Sequence, residues 1–176
     1  NTVVDKDGYM AIDPANPPVA VVCGTNAYGV AIGVALHKSI YSLWWADGGR
    51  ILEGIVCTPS ISYQNGAAAS ATFTGDTDGS DNWDYICSVD PVGAANADVN
   101  YPAFDWVNKY NTTYASKLGT ARPAWYMPSI AELSELYKNK EAVKESLLKI
   151  KGLNSAYADA SLGTGWYWSS SQYSLY

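Results

Sequence analysis

Residues 125–133 are Trp125-Tyr-Met-Pro-Ser-Ile-Ala-Glu-Leu133, and they contain the best-defined element start in the chain. Ser129 is followed three positions later by Glu132, so each side chain can satisfy the free backbone amide of the other in a capping box. The spacing predicts a helix that begins at Ser129, with a division into two helices at Asn139 and an end at Gly152. The apolar stripes are Ile130, Leu133, Leu136 and Tyr137, then Val143, Leu147 and Ile150.

Upstream of this helix, apolar runs at residues 19–23 and 30–36 flank a short segment rich in Gly and Asn. This pattern predicts a hairpin of mostly buried strands. A third apolar run at 42–45 ends in the turn Asp47-Gly-Gly49. A short helix is predicted over 80–87, and another over 101–117 that stops at Gly119.

The remaining segments carry weaker patterns. Residues 1–18 are interpreted as an N-terminal leader, because the prolines in Asp13-Pro-Ala-Asn-Pro-Pro18 cannot complete a regular ladder. Residues 58–81 are rich in Ser, Thr, Gly and Ala and are interpreted as a long loop. Strands, then helices, then a final aromatic strand from Trp166 indicate an α+β domain over residues 19–176.

Composition excludes several classes of protein. The chain has 176 residues, of which 48% are hydrophobic and 16% charged, so it can bury the core of one domain. Its net charge of -6 argues against nucleic acid as the main partner. No apolar run approaches the length of about eighteen residues that a membrane-spanning helix needs, so no membrane span is expected.

Residues for catalysis are few. His37 is the single histidine and lies in an apolar run, and no serine lies in a G-x-S-x-G turn. Glu132 and Glu135 could form a carboxylate pair, but Glu132 is committed to the helix cap. The glycines form no phosphate-binding motif. We therefore expect no enzyme and no cofactor; His37 in an open cleft beside a carboxylate and a nucleophile would favour one.

Metal binding has one weak candidate. Asp76, Asp78 and Asp81 alternate as calcium ligands do, but the bidentate glutamate of an EF-hand loop is missing. The alternative is a turn at Asp78-Gly79 followed by a helix cap. Cys23, Cys57 and Cys87 lack the spacing of a zinc site, and they permit either one disulfide and one thiol or three buried thiols.

The aromatic residues are unusual, with 14 Tyr and 7 Trp against 2 Phe. Tyr and Trp combine a large apolar body with a polar group, so rings of this kind often line binding surfaces. In a strand, Trp166 and Trp168 would share one face and Tyr167 the other, because side chains alternate. We expect the two tryptophans to face the core, and the Tyr and Ser residues beyond Gln172 to suit a binding surface.

Three stretches together resemble a known family. They are residues 125–133, Leu136-Tyr-Lys138, and Gly163-Thr-Gly-Trp-Tyr-Trp-Ser-Ser-Ser-Gln-Tyr173. The combination is similar to the W-x-[LM]-P-[ST]-x-x-E-L and Y-W-S-S-S pattern of bacterial and phage C-type-lectin-like domains. That family shares its fold with formylglycine-generating enzymes and includes the variable proteins of diversity-generating retroelements. The resemblance covers about residues 125–173, and the strands before them agree in character only.

The resemblance implies small antiparallel sheets flanked by two or three helices, with the last strands truncated because the chain ends at Tyr176. It also implies a non-enzymatic domain that recognises a protein or surface receptor, on a bacterial surface, outside the cell or on a phage particle. The alternative is a structural or adhesin module without diversification. A homo-oligomer or a complementing chain could supply the missing strands and cover the tryptophans. The implied framework residues are Trp166, Trp168, Ser169, Ser170 and Ser171, and the implied variable surface is Tyr173, Ser174, Leu175 and Tyr176, with Tyr167 as a lesser candidate.

The chain departs from the family in its cysteines and its metal ligands. The half-cystine pairs and calcium motif of animal C-type lectins have no counterpart, so sugar binding through calcium is not implied. The cysteine pair of formylglycine-generating enzymes is also missing, which argues against oxidase activity.

Overall fold

A computed structural model describes residues 2–4, 10–157, 162–163 and 165–173. Within these residues the strands form three separate two-stranded antiparallel sheets. The prediction of an α+β chain with small antiparallel sheets is therefore confirmed. The strand pairs are β1 (Thr2–Val4) with β2 (Met10–Ile12), β3 (Ala20–Thr25) with β4 (Ala31–Ala35), and β5 (Cys57–Gln64) with β6 (Ala67–Gly75).

The helices occupy the middle and second half of the chain. In the described residues, five helices follow one another between residues 82 and 113, and two longer ones follow the capping box. They are α1 (Asn82–Val89), α2 (Pro91–Ala94), α3 (Ala97–Asn100), α4 (Pro102–Asn108), α5 (Tyr110–Thr113), α6 (Ile130–Lys138) and α7 (Lys140–Leu153). Short 3-10 turns lie at Glu53–Ile55 and Ser155–Tyr157.

The predicted helix start at Ser129 is confirmed. The Ser129 hydroxyl accepts from the Glu132 backbone N–H, and the Glu132 carboxylate accepts from the Ser129 backbone N–H. The division at Asn139 is also confirmed, since α7 begins one residue later. Val143 and Leu147 of the second predicted stripe are buried, whereas Tyr137 of the first is largely exposed.

The buried side chains form two clusters. One lies under α1 and α4 and is built around Ile55, Ile86, Tyr101 and Phe104. The other lies between the β3–β4 hairpin and α7 and includes Cys23, Leu36, Val143, Leu147 and Tyr157. The predicted hairpin is thus confirmed, although its strands are half-buried because only one face meets the helices.

The predicted long loop at 58–81 is wrong, because β5 and β6 form a hairpin there. Asn65 and Gly66 both have positive φ, 53° and 79°, as a two-residue type I′ turn requires. Ile61, Tyr63 and Phe73 alternate with Ser and Thr on either side of that turn. The Asn-Gly pair indicates a hairpin turn, but the small polar residues around it led to the interpretation of a loop.

Part of the predicted leader also differs from expectation. Residues 2–4 pair with 10–12, and Ile12 packs against the second cluster. The proline-rich stretch 13–18 contains no strand, as predicted, because proline cannot donate to a ladder. The ladder that forms lies on the N-terminal side of the prolines.

Candidate recognition surface

The segment of residues 169–172 is anchored in the body of the protein by its polar groups. The Ser170 backbone N–H donates to the Pro128 carbonyl at 2.7 Å, and its hydroxyl accepts from the Asn82 side-chain amide at 2.7 Å. The Ser171 hydroxyl accepts from the Ile130 backbone N–H at 2.9 Å. Ser170 is completely buried. The serines therefore connect this segment to α1 and to the start of α6.

Gln172 completes the anchor with both its backbone and its side chain. Its N–H donates to the Ile55 carbonyl, and its own carbonyl accepts from the Cys57 N–H, each at 2.9 Å. The side-chain amide accepts from the Leu52 N–H at 2.7 Å and donates to the Arg50 carbonyl at 3.0 Å. This residue was not singled out in the sequence, because an isolated Gln gives no local signal of its partners.

The expectation that Trp166 and Trp168 face the core is wrong. The Trp166 side chain is fully exposed at 104%, and Trp168 is 56% exposed. The predicted strand does not form over 166–171; only Gln172 makes a bridge, which is parallel and pairs with Val56. This segment has no strand partner to fix alternation. Its buried residue, Ser170, and the half-buried Ser171 face the N–H donors of Asn82 and Ile130, which suit serine hydroxyls and not indoles.

A neighbouring segment places further aromatic residues beside these tryptophans. The Trp168 indole N–H donates to the Leu43 carbonyl, and the Trp45 indole N–H donates to the Ser169 carbonyl, both at 2.7 Å. Trp45 packs edge-on against Phe104 in the core, with ring centroids 5.3 Å apart. Trp44, next to it, is 76% exposed.

We use the term aromatic surface for Trp44, Trp166, Tyr167 and Trp168. Neither residues 39–46 nor residues 162–173 contain a charged side chain. The Lys38 ammonium approaches Gly163 beside Tyr167, and large exposed aromatic side chains are typical of interaction sites. Trp44 was missed in the sequence, because a Trp-Trp pair does not indicate which ring is exposed.

The other predicted surface residues lie nearby or outside the described part. Tyr167 is partly exposed, and its hydroxyl accepts from the Gly163 N–H at 2.7 Å. Tyr173 is exposed, and its carbonyl accepts from the Thr58 hydroxyl at 3.5 Å. Ser174, Leu175 and Tyr176 lie outside the described residues.

Behind the anchor, Glu132 is buried and fully committed. One carboxylate oxygen accepts from the Gly79 N–H at 3.0 Å and the Ser129 N–H at 2.8 Å, and the other accepts from the Tyr126 hydroxyl at 2.8 Å. Burial, and then the hydrogen bond to Glu132, raise the pKa of Tyr126. Glu135 instead pairs with Lys138 near the surface. The two carboxylates therefore have different partners and different degrees of exposure.

His37 is buried. Its Nδ1 lies 2.9 Å from the Tyr110 hydroxyl, and its ring stacks on Tyr114 with centroids 4.2 Å apart. Burial raises the pKa of Tyr110 to about 12, so the phenol is neutral at physiological pH. The open cleft that would favour an enzyme is not the environment of this ring.

A pocket of about 430 Å³ opens beside Arg50, Tyr85, Asp90 and Tyr101. The Arg50 guanidinium bonds to Asp90, to Asn100 at 3.2 Å and to the Asp47 carbonyl at 3.3 Å. Burial raises the pKa of Tyr101 to about 12, and its hydroxyl donates to Asp90 at 2.7 Å. The arginine is therefore committed to holding α2 and α3 in place.

The acidic loop shows turn geometry. Asp76 accepts from the Asp78 N–H and Asp78 accepts from the Ser80 N–H, at 3.1 and 2.9 Å. Among the described residues, no group of three or more His, Cys, Asp or Glu side chains is placed to hold a metal ion. The three cysteines are free thiols, and burial raises the pKa of each.

Asp76 gives a prediction about pH. Burial, reinforced by Asp81 and Asp78, raises the pKa of this carboxyl above 3.8. The folded protein then binds the proton more tightly than the unfolded chain, so this group makes stability fall as pH rises from 3.8 through the folded pKa. Asp76→Asn removes that dependence. Denaturant unfolding at a series of pH values should show the variant gaining on the wild type as pH rises; a constant difference would contradict the assignment.

Ser170 gives a prediction about the anchor. Ser170→Ala leaves the buried Asn82 amide without its 2.7 Å acceptor, and the free energy of unfolding should fall by about 1–3 kcal/mol. Ser169→Ala is the matched control, because that hydroxyl makes only a 3.4 Å contact, and its effect should stay within about 0.5 kcal/mol. Urea unfolding measures both. Equal effects at the two positions would show that Ser170 is not an anchor.

Comparison with known proteins provides no family assignment. No protein-family model matches the chain, and no curated protein or solved structure matches it. In the described residues no helix has both the length and the apolar character to cross a membrane.

Proposed function

We propose that this chain is a non-enzymatic, C-type-lectin-like recognition domain whose aromatic surface binds a protein or surface-receptor ligand. The observation that carries this proposal is the contrast along one short segment. Ser170 is fully buried and bonded on two sides, whereas Trp166, four residues earlier, is fully exposed. Large rings that lie a few residues from a hydrogen-bonded segment are suited to binding, because that segment is already ordered before the ligand arrives.

The chemistry of the surface supports protein recognition. Trp and Tyr supply large, rigid contact areas, and residues of these types dominate the binding energy of many interfaces. An indole that is fully exposed to water is unfavourable in the isolated protein, because its apolar area would be more stable buried. Burial of Trp166 and Trp44 against a partner would remove that cost.

The anchor supports a diversified surface. Ser170, Ser171 and Gln172 are held by hydrogen bonds from distant elements, so substitutions at exposed neighbours need not disturb them. In this proposal the serines form the framework and Tyr167 and Tyr173 are variable positions. Trp166 moves from the framework to the binding surface, because it contributes no burial. The domain acts on a bacterial surface, outside the cell or on a phage particle.

Sequencing the DNA around the gene tests the diversification. We expect a nearby reverse transcriptase and a near-copy of the end of the gene that differs only at adenines. Those differences should fall in codons for exposed residues such as Tyr167 and Tyr173, and not in codons 169–171. Absence of both features would overturn diversification and favour an adhesin or structural module on the same scaffold.

A pair of displayed libraries tests the division between surface and anchor. One library randomises Trp44, Trp166 and Tyr173, and the matched library randomises Ser170, Ser171 and Gln172. We expect most clones of the first to resist protease and to yield binders to an immobilised probe such as lysozyme. Most clones of the second should be degraded. Equal protease resistance in the two libraries would contradict the proposed division.

A further inference from the structure

The β5–β6 hairpin projects a free strand edge. Residues 60–70, which span its tip, are all exposed, whereas Cys57 at its base is buried. In the described residues β5 and β6 pair only with each other as strands of one sheet. A two-stranded sheet is of marginal stability alone, and an unpaired edge is a template for another strand.

The two edges differ. At the β5 edge the Cys57 N–H already donates to the Gln172 carbonyl, and Pro59, two residues on, has no N–H to donate. In an antiparallel pair, the backbone N–H and C=O groups of successive residues point alternately toward the partner strand and away from it. Because the Cys57 N–H points away from β6, the backbone groups of Pro59 and of its partner Phe73 also point away from the hairpin. The same holds for Ala71. The outer edge of β6 therefore presents free backbone groups at 71 and 73, while the β5 edge is largely blocked.

We infer that this outer edge of β6 pairs antiparallel with the same edge of a second copy of the chain. With the two-fold axis at Thr72, residue 71 of each copy exchanges backbone hydrogen bonds with residue 73 of the other. Thr72 then lies directly opposite Thr72 of the second copy. The result is a closed dimer with a four-stranded sheet, since the blocked β5 edges prevent further addition.

The second copy is the occupant that the edge itself fits. Ala71 and Phe73 lie on one face of β6, and Ser70, Thr72 and Thr74 lie on the other. In the antiparallel two-fold arrangement, apolar side chains meet apolar ones and hydroxyls meet hydroxyls. Residues 57–75 contain no charged side chain in a chain of net charge -6. Two copies can therefore approach along this hairpin without repulsion between charges of the hairpins themselves.

The edge also lacks the usual protection against pairing. Exposed edge strands are commonly blocked by lysines, inward charges or prolines, and β6 contains none of these. Its bulge lies near Ala69, where the register shifts between Ser62 and Tyr63. The register is regular from residue 70 to residue 74, the part of the strand that pairs in this arrangement.

Sedimentation of the 176-residue chain over a range of concentrations tests this inference. We expect a concentration-dependent dimer. Thr72→Lys places two like charges directly opposite each other and should weaken dimerisation about tenfold or more. Ser60→Lys is the matched control. Ser60 is the cross-strand partner of Thr72 on β5, so the new lysine adds the same charge to the same face of the hairpin but at the blocked edge. It should change the dimer constant by less than about threefold.

Charge reversal keeps the test independent of folding defects. Thr72→Glu alone should dimerise as poorly as Thr72→Lys, whereas an equimolar mixture of the two variants should form a heterodimer at least as tight as the wild-type dimer. A chain that remains monomeric up to its solubility limit would overturn the inference. So would a dimer that Thr72→Lys and Ser60→Lys weaken equally, or a mixture that fails to associate. None of these outcomes depends on a ligand for the aromatic surface.

Discussion

Glu132→Ala should lower the free energy of unfolding by about 3–5 kcal/mol. The buried carboxylate accepts from the Gly79 N–H, the Ser129 N–H and the Tyr126 hydroxyl. Removing it leaves three donors without their acceptor, two of them buried backbone N–H groups, and it removes half of the capping box. Urea unfolding followed by circular dichroism measures the loss.

Two further variants make this expectation specific to the hydrogen bonds. Glu135→Ala lies on the same helix and makes the same change of residue, but its carboxylate is partly exposed and pairs only with Lys138, so we expect a loss of at most about 1 kcal/mol. Glu132→Gln retains one acceptor oxygen and should lie between the two, at about 1–2 kcal/mol. Similar losses for the two alanine variants would refute the role of Glu132.

Gly79→Ala should destabilise the protein by about 3 kcal/mol or more. A Cβ at this position would lie 2.4 Å from the Met127 carbonyl oxygen and 2.6 Å from the Ser129 nitrogen. Both are backbone atoms in the cap of α6, so neither can move aside as a flexible side chain would. The displacement would also stretch the bond from the Gly79 N–H to Glu132.

The control for this substitution is Gly49→Ala. A Cβ at Gly49 would meet nothing within 4 Å, and its backbone is not in the left-handed region. We expect a change within about 0.5 kcal/mol in thermal or urea unfolding. If Gly79→Ala unfolds like Gly49→Ala, the loop 77–79 is not held against α6 as described.

These two sites show how a local signal and a tertiary contact combine. The capping box between Ser129 and Glu132 was predictable, because both partners lie within one turn of the same helix. That Glu132 also binds Gly79, 53 residues earlier, was not. The predicted cap thus turned out to be the point at which α6 attaches to the loop before α1.

The orientation of the tryptophans in the last described segment was predicted wrongly. The predicted framework was Trp166 and residues 168–171, and the predicted variable surface was residues 173–176 with Tyr167; in the described part of this segment the exposed rings are Trp166, Tyr167, Trp168 and Tyr173. Trp166 and Trp168 were expected to be buried and are exposed, whereas Ser170, also predicted as framework, is buried. Alternation along a strand was the basis for that expectation, and alternation applies only where a ladder holds the backbone straight.

The residues alone determine the short-range features: the start of α6, the break at Asn139 and the Asn65-Gly66 turn each depend on neighbours at most a few positions apart. Only the folded chain decides which rings are buried, because the donors that select Ser170 and Ser171 for the interior come from Asn82 and Ile130, 88 and 41 residues away. A buried N–H requires an acceptor wherever that acceptor lies along the chain. That requirement draws the small hydroxyls inward and leaves the indoles in solvent.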